Sequence, residues 1–379
     1  MKELKNSPVG KLVPTVHSQL AFVPSALPQV VDLQGPLISQ LDRASLAVGT
    51  LAGVGETLAN PHLLIRPFLR REAVLSSRIE GTQATISDVF VYEAAGERVG
   101  SADTKEVVNY VHALDLGLDL LKTLPICIRL ANQIHARLME GVRGEGKAPG
   151  ELRKFQNYIG TEGTLIGDAR YIPPPPDLVP DLMADWERFV NADFDMPALI
   201  RCALMHYQFE AIHPYLDGNG RVGRLLITLF LCNERVLPTP LLYLSAYFEA
   251  HRDEYVDHLY RASVTGEWAP WLDFFLKGVE GQARDALVRS RRVRELREEY
   301  RDLLQSKKES ANAFRLLDSL FENPYTTAPR AAELLNVTHA GAQGILARLV
   351  SAAVLSPLSG TWPRLFVARG VLESIEGPV

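Results

Sequence analysis

Apolar positions along the chain recur mostly at helical spacing. Ile38, Leu41, Leu46 and Leu51 predict a first helix, after a proline-dotted stretch over residues 1–35 that has no period and reads as an arm on the surface. A second helix begins near Pro67 and stops at Gly81, with proline at the entry and glycine just past the end. A third spans 104–121, with Val107, Val108, Val111, Leu114 and Leu118 along one side, and a fourth spans 128–140. Helices resume over 178–191, 197–212, 220–235, 251–264 and 268–286. Period-2 alternation is scarce, so the pattern predicts an all-α protein.

Between the fourth and fifth helices the pattern breaks. Gly141, Gly144, Gly146, Gly150, Gly160, Gly163 and Gly167 precede the run Pro173 to Pro176, and the β-like pieces Phe155 to Ile159 and Tyr171-Ile172 predict a small hairpin inside this long loop. A loop of that length in a compact domain is more often functional than idle. From Gly281 arginines interleave with acids, which predicts a solvated connecting helix laced with ion pairs. Residues 311–379 read as a separate module. Three helices, the last over 340–352, and a hairpin over 354–367 resemble a winged helix-turn-helix. The expected division is an N-terminal arm and regulatory helical segment (1–100), a catalytic core (101–285), a charged linker helix (286–310) and the winged-helix module (311–379).

Composition narrows the classes. The 379 residues carry 40 Lys+Arg against 45 Asp+Glu, a net charge of −5, so no whole-protein field draws nucleic acid or anionic lipid. Cys127, Cys202 and Cys232 are too widely spaced for a zinc site and odd in number, which fits reduced thiols in a cytosol. The N-terminus is charged and contains Pro8, unlike a secretory signal, and the apolar run from Leu225 to Cys232 is far shorter than the ~20 residues that span a bilayer. A cytoplasmic protein without a membrane segment is expected.

The densest chemistry is the run His213-Pro214-Tyr215-Leu216-Asp217-Gly218-Asn219-Gly220-Arg221-Val222-Gly223-Arg224 between two apolar helices. Gly218 and Gly220 permit positive φ and close backbone approach, so N–H groups converge on an anion at the start of the next helix. Arg221 and Arg224 are spaced to fork onto phosphate oxygens. Asp217 offers a hard oxygen to a phosphate-bound Mg²⁺, and His213 stands where a general base would face the phosphate. The run lacks the Lys-Ser/Thr of a Walker A loop, and no strand precedes it as a dinucleotide fingerprint requires. A plain turn would not need the histidine, the aspartate and both arginines at these offsets.

This run resembles the signature of the Fic family, with Tyr215 in place of phenylalanine, and His206 with Phe209-Glu210-Ala211-Ile212 resembles its lead-in. The resemblance implies a helical core with a small β-hairpin flap that transfers AMP from ATP, with Mg²⁺, to a hydroxyl of a target protein. His213 would deprotonate that hydroxyl and Asp217 would hold the metal. The nucleotide would lie against Gly218, Asn219, Gly220, Arg221, Val222, Gly223 and Arg224. Downstream, Tyr247, His251, Tyr255 and Ser263 fall where the family closes over adenine, with Tyr255 the best suited to stack. The flap over 155–172 would hold the target segment by main-chain pairing, and Tyr171 is a further candidate to cover the nucleotide.

Upstream, Ser76-Ser77-Arg78-Ile79-Glu80-Gly81 resembles the family's inhibitory pattern. By itself Glu80 reads either as a solvated residue beside a glycine C-cap or as the partner of a distant cation, since a carboxylate in the last helical turn opposes the macrodipole. The resemblance makes that cation Arg224, with Ser76 on the same helix face, and implies an enzyme that restrains itself and can modify itself. Two other readings stay open: removal of AMP from a modified protein by the same site, and an ATP-sensing winged-helix regulator that binds DNA. The last module holds few basic residues, so protein docking or homodimer formation is expected ahead of DNA binding.

Overall fold

The computed structural model describes residues 2–16, 18–57, 62–96, 100–160, 165–193, 195–360 and 364–378. The expected arm is a built element. After a 3-10 turn at Lys2–Asn6, strands β1 (Gly10–Pro14) and β2 (Leu20–Pro24) pair antiparallel, with Leu12 opposite Phe22. Leu4 and Phe22 are fully buried, and the Phe22 N–H donates to the Ile172 carbonyl at 2.8 Å, which ties the hairpin to the long loop. Ala21, Phe22 and Val23 are buried in succession, so β2 shows no alternation for a period-2 reading to detect.

Helix α1 (Pro36–Thr57) is the first predicted helix with another face inward. Leu37, Ala44, Ala47, Val48 and Leu51 are buried, whereas Ile38 and Leu46 are 51% and 70% exposed. Helix α2 (His62–Ile79) runs through Pro67 instead of starting there. Helix α3 (Ile86–Ala95) has no counterpart in the apolar pattern. Its local signal is a capping box, in which Thr85 and Asp88 each accept a hydrogen bond from the other's backbone N–H. Helices α4 (Ala102–Leu120), α5 (Ile128–Leu138), α6 (Val179–Asn191), α7 (Ala198–Ile212) and α8 (Asn219–Asn233) follow the predicted periods closely. A short helix α9 (Ser245–Ala250), not predicted, leads into α10 (Arg252–Thr265).

The charged linker is not a separate element. Helix α11 (Trp268–Ser306) is one 39-residue helix joining the last core helix to the arginine-rich segment. Pairs such as Arg284–Glu280 and Arg291–Glu295 lace it as expected, but it is only partly solvated. Arg289, Ser290, Val293 and Leu304 are buried, and Arg289 donates to Asp285 and to the carbonyls of Ile375 and Gly377.

The chain then forms α12 (Ala311–Glu322), β3 (Tyr325–Thr327), α13 (Ala328–Leu335), α14 (His339–Ser351), β4 (Ser356–Pro357), β5 (Leu365–Val367) and α15 (Arg369–Glu376). The strands make an antiparallel sheet in the order β3-β5-β4. The expected helices and hairpin are therefore joined by a third strand and a closing helix. This module does not stand apart. Asn323 donates to the Phe90 carbonyl at 3.0 Å, Tyr325 meets Ser87 at 3.1 Å, and Arg330 donates to the Glu93 carbonyl at 2.7 Å, all on α3.

The protein is mostly helical, with few short strands, as expected. One continuous buried core runs from Leu4 to Ile375. Among the described residues the predicted flap hairpin is marked by an antiparallel bridge between Ile159 and Tyr171, and its tip over 161–164 lies outside the described residues. Among the described residues no helix is long and apolar enough to cross a membrane. The three cysteines are unpaired, with Cys127 and Cys202 buried.

Candidate active site

Helix α7 is buried on nearly every side and ends abruptly at His213, which caps it in the left-handed region at φ 51°, ψ 62°. A non-glycine residue there is held against a backbone cost of about 1–2 kcal/mol. The restraint comes from Arg153, a buried residue two positions before the expected flap. Its backbone N–H donates to the Pro214 carbonyl at 2.9 Å, and its guanidinium donates to the carbonyls of His213 at 2.9 Å and Pro174 at 2.6 Å. Burial brings the Arg153 guanidinium down to about 10.

The loop from His213 to Gly218 is pinned from within. The Asn219 side chain accepts from the Tyr215 N–H and donates to the Tyr215 carbonyl, both at 2.8 Å, so this residue organises the loop. Tyr215 is fully buried, lies flat on His135 with ring centroids 3.9 Å apart, and donates its hydroxyl to Asn132 at 2.8 Å. The buried partner explains why a tyrosine is tolerated there. His135 accepts from the Gly150 N–H at 2.8 Å through Nδ1 and lies 3.0 Å from the Asp217 carbonyl through Nε2, which fits a neutral ring. Burial pushes it down to about 4.

Gly218 takes φ 75° at the N-cap of α8, where a side chain would crowd Met139. Gly220 does not need positive φ. A Cβ on it would collide with the Glu80 carboxylate, so the close approach expected for a phosphate oxygen is made here by a carboxylate. The Asp217 carboxylate pairs with Lys147 at 2.9 Å and accepts from the Gly218 N–H at 2.7 Å. Burial would raise it, but Lys147 and Arg221 hold it below the usual range.

Three residues of the run do not line the cavity beside Arg224. Arg221 is buried in an ion pair with Glu106 at 3.2 Å, because it points from α8 toward α4. Val222 is wholly in the core, and Gly223 makes room for the Glu210 carboxylate and for His206.

Arg224 is gripped by α2. Its Nε donates to Ser76 Oγ at 2.8 Å, and its NH2 donates to the Ser76 carbonyl at 3.0 Å and to Glu80 Oε1 at 2.7 Å. The Arg224 side chain is 2% exposed and that of Glu80 38%. Burial opposes both charges, yet the pairing holds Glu80 below the usual carboxylate range and Arg224 above the usual guanidinium range. The two motifs, with Glu80 and Arg224 144 residues apart, meet in one ion pair.

Beside this pair lies a cavity of about 320 Å³ whose wall includes Glu80, Glu210, His213, Gly220, Arg224 and Arg252. Asp217 and Arg221 are not in that wall. Tyr158, Tyr171, Tyr255 and Ser263 are. Tyr255 is not free to close over a ring: its hydroxyl meets His206 Nε2 at 2.7 Å and its ring stacks on Phe248 with centroids 4.4 Å apart. Tyr171 is buried and donates to the Ala211 carbonyl at 2.8 Å. Tyr247 and His251 instead pack on Phe274. His213 is pushed down to about 4, by burial first and by Arg153 second, so its imidazole is neutral near pH 7. A neutral imidazole, a gripped arginine and a helix N-terminus around one cavity can accept a proton beside a bound anion.

Profiles described as Fic/DOC family N-terminal and Fic/DOC family match residues 38–119 and 125–231. The chain carries Fic/DOC family domains. A protein adenylyltransferase Fic of Culex quinquefasciatus is 32% identical over 144 residues, which is 38% of this chain and 25% of that protein. A probable protein adenylyltransferase of Aquifex aeolicus is 33% identical over 89 residues, 24% of this chain and 28% of that one. The chain therefore spans about a quarter of the length of these curated relatives. A Fic family protein from Desulfovibrio desulfuricans G20 shares the fold at TM-score 0.58 and 20% identity, covering 90% of this chain and 98% of that one. A Fic domain containing signaling protein from Bacteroides thetaiotaomicron superposes at TM-score 0.53 and 17% identity, over 72% of this chain and 98% of that one. The Fic/DOC matches cover α1 to α8 and include both Glu80 and the run from His213 to Arg224.

Proposed function

We propose that this protein is a self-restrained adenylyltransferase that moves AMP from ATP to a Ser, Thr or Tyr hydroxyl of a protein. The carrying observation is the Glu80–Arg224 pair at 2.7 Å, lodged against Gly220 at the mouth of α8, where the site is otherwise shaped for an anion. The names of the similar proteins support the same chemistry. Neutral His213 takes the acceptor proton as the hydroxyl oxygen bonds to the α-phosphorus, and the bond to pyrophosphate breaks. Arg224 meets phosphate oxygens once Glu80 has left it. The Gly218–Gly220 backbone receives the phosphates at the helix N-terminus.

Among the described residues no cluster of three or more metal ligands exists. One hard carboxylate is nonetheless what a phosphate-bound Mg²⁺ asks of a protein, and Asp217 fits that part if Lys147 yields it. The ion would neutralise charge on the phosphates.

We assign the regulatory role to residues 1–100 and catalysis to 101–285. The exposed Phe155 and Tyr158 beside the Ile159–Tyr171 bridge suit a flap that docks the target chain. For the winged-helix-like module over 311–379 we favour protein docking or homodimer formation over DNA binding, because the basic residue of its candidate recognition helix, Arg348, is held by Glu309 at 2.9 Å.

Incubation with labelled ATP and Mg²⁺ tests the reading. Glu80→Gly is expected to label itself or a target more strongly than the parent, and His213→Ala to abolish labelling. Equal labelling by all three proteins overturns it.

A further inference from the structure

One carboxylate in the cavity wall has no task in this scheme. Glu210, on the last turn of α7, places Oε2 3.9 Å from His213 Nδ1. Glu210 Oε1 and His213 Nδ1 are both buried polar atoms without a hydrogen-bond partner. Oε1 is buried toward Gly223 and Oε2 is the oxygen turned to the histidine, and buried polar atoms that forgo their hydrogen bonds to water are costly unless they are used. Helix α8 makes space for this carboxylate: a Cβ on Gly223 would collide with Glu210 Oε1.

Resting on the transferase reading, we propose that Glu210 is the positioning residue for His213. Its carboxylate accepts the Nδ1–H, fixes the tautomer whose Nε2 lone pair is free for the acceptor hydroxyl, and stabilises the imidazolium formed when that proton arrives. The proton stays on Nε2 and Glu210 remains a carboxylate, as an orienting acid does in a catalytic triad. Closing the gap from 3.9 Å to hydrogen-bond length takes a shift of about 1 Å. Tightening of that kind between resting and substrate-bound states is common.

The charged and titratable groups around Glu210 are His206 and His213 of α7, Arg224 of α8, Glu80 after α2 and Tyr255 of α10. Burial lifts Glu210 to about 7, Arg224 opposes the rise and Glu80 adds to it. Departure of Glu80 therefore does two things at once. It frees Arg224, and it makes the Glu210 carboxylate easier to ionise, so that release of the restraint also prepares the base.

The test uses the full chain in the Glu80→Gly background. Glu210→Gln is expected to lower kcat on the order of 10²-fold with KM for ATP unchanged, and Glu210→Asp to restore part of it. The acid limb of the parent's pH profile, set by Glu210 and lying below 7 because Glu80 is gone, should vanish in Glu210→Gln. A kcat within about twofold of the parent with the same pH profile overturns the proposal. A second measurement needs neither turnover nor a variant: nitrogen chemical shifts of His213 in histidine-labelled wild type at pH 8. An Nδ1–H tautomer whose Nδ1 shift moves when the sample is taken down to pH 6, as Glu210 titrates, supports the proposal; the Nε2–H tautomer, or an Nδ1–H signal that does not respond, as donation to the Glu210 main-chain carbonyl would give, overturns it. If Glu80→Gly transfers nothing, the transferase reading fails, while the tautomer still decides the Glu210–His213 contact.

Discussion

Replacing Glu80 by glycine removes one charge-assisted hydrogen bond from Arg224 and leaves the other two in place. Arg224 keeps Ser76 Oγ at 2.8 Å and the Ser76 carbonyl at 3.0 Å, so the guanidinium stays oriented while one N–H becomes free. A hydrogen bond to a charged partner is worth about 1.5–3 kcal/mol. Because the Glu80 side chain is 38% exposed, solvent screening reduces this to about 1–2 kcal/mol. ATP no longer has to displace that contact, so transfer at low ATP should rise about 5- to 30-fold, at one decade per 1.36 kcal/mol. Incorporation of labelled AMP, followed against ATP concentration, measures the gain. Glu80→Gln, which keeps the length but loses the charge, should fall between parent and Glu80→Gly. A Glu80→Gly rate within about twofold of the parent, or a fully activated Glu80→Gln, would refute the electrostatic argument.

Arg153→Ala would strip donors from the His213 and Pro174 carbonyls, and should lower stability by about 3 kcal/mol or more in chemical denaturation and depress transfer through a misplaced His213. Tyr215→Phe loses the bond to Asn132 and should cost about 1 kcal/mol in the same assay with transfer retained, because the ring still stacks on His135. His206, pushed down to about 3 by burial, binds a proton only when the chain unfolds between that pH and about 6.5, so its contribution shrinks as pH falls through this window. The stability advantage of wild type over His206→Gln should therefore diminish by about 1.4 kcal/mol per pH unit below 6.5, read from denaturation at pH 8 and pH 5.

The helical core was legible because α4 to α8 each bury a face or a whole surface whose period the apolar residues repeat. What escaped was of another kind. β2 is buried on both sides and has no alternation, α3 announces itself only through its cap, and the inward face of α1 is set by α11, far along the chain. The site divides in the same way. Its run from His213 to Arg224 stood out because positive φ, close approach and charge are demands on residue type at fixed local offsets.

Which of those residues face the cavity was not local. Arg221 and Asn219 carry the expected chemistry but are taken up by Glu106 and by the Tyr215 backbone. Arg153, His135 and Lys147 left no local signal, and Glu210 showed only as part of the lead-in to the run, since each matters through a partner distant in sequence or across a helix end. The sequence by itself determined a helical protein with an anion-shaped helix N-terminus and a carboxylate ending an upstream helix. Only the packing of α2 against α8 decided that this carboxylate sits on that N-terminus at 2.7 Å from Arg224, because a charge pair between segments 144 residues apart is fixed by how helices stack, and no spacing along the chain encodes it.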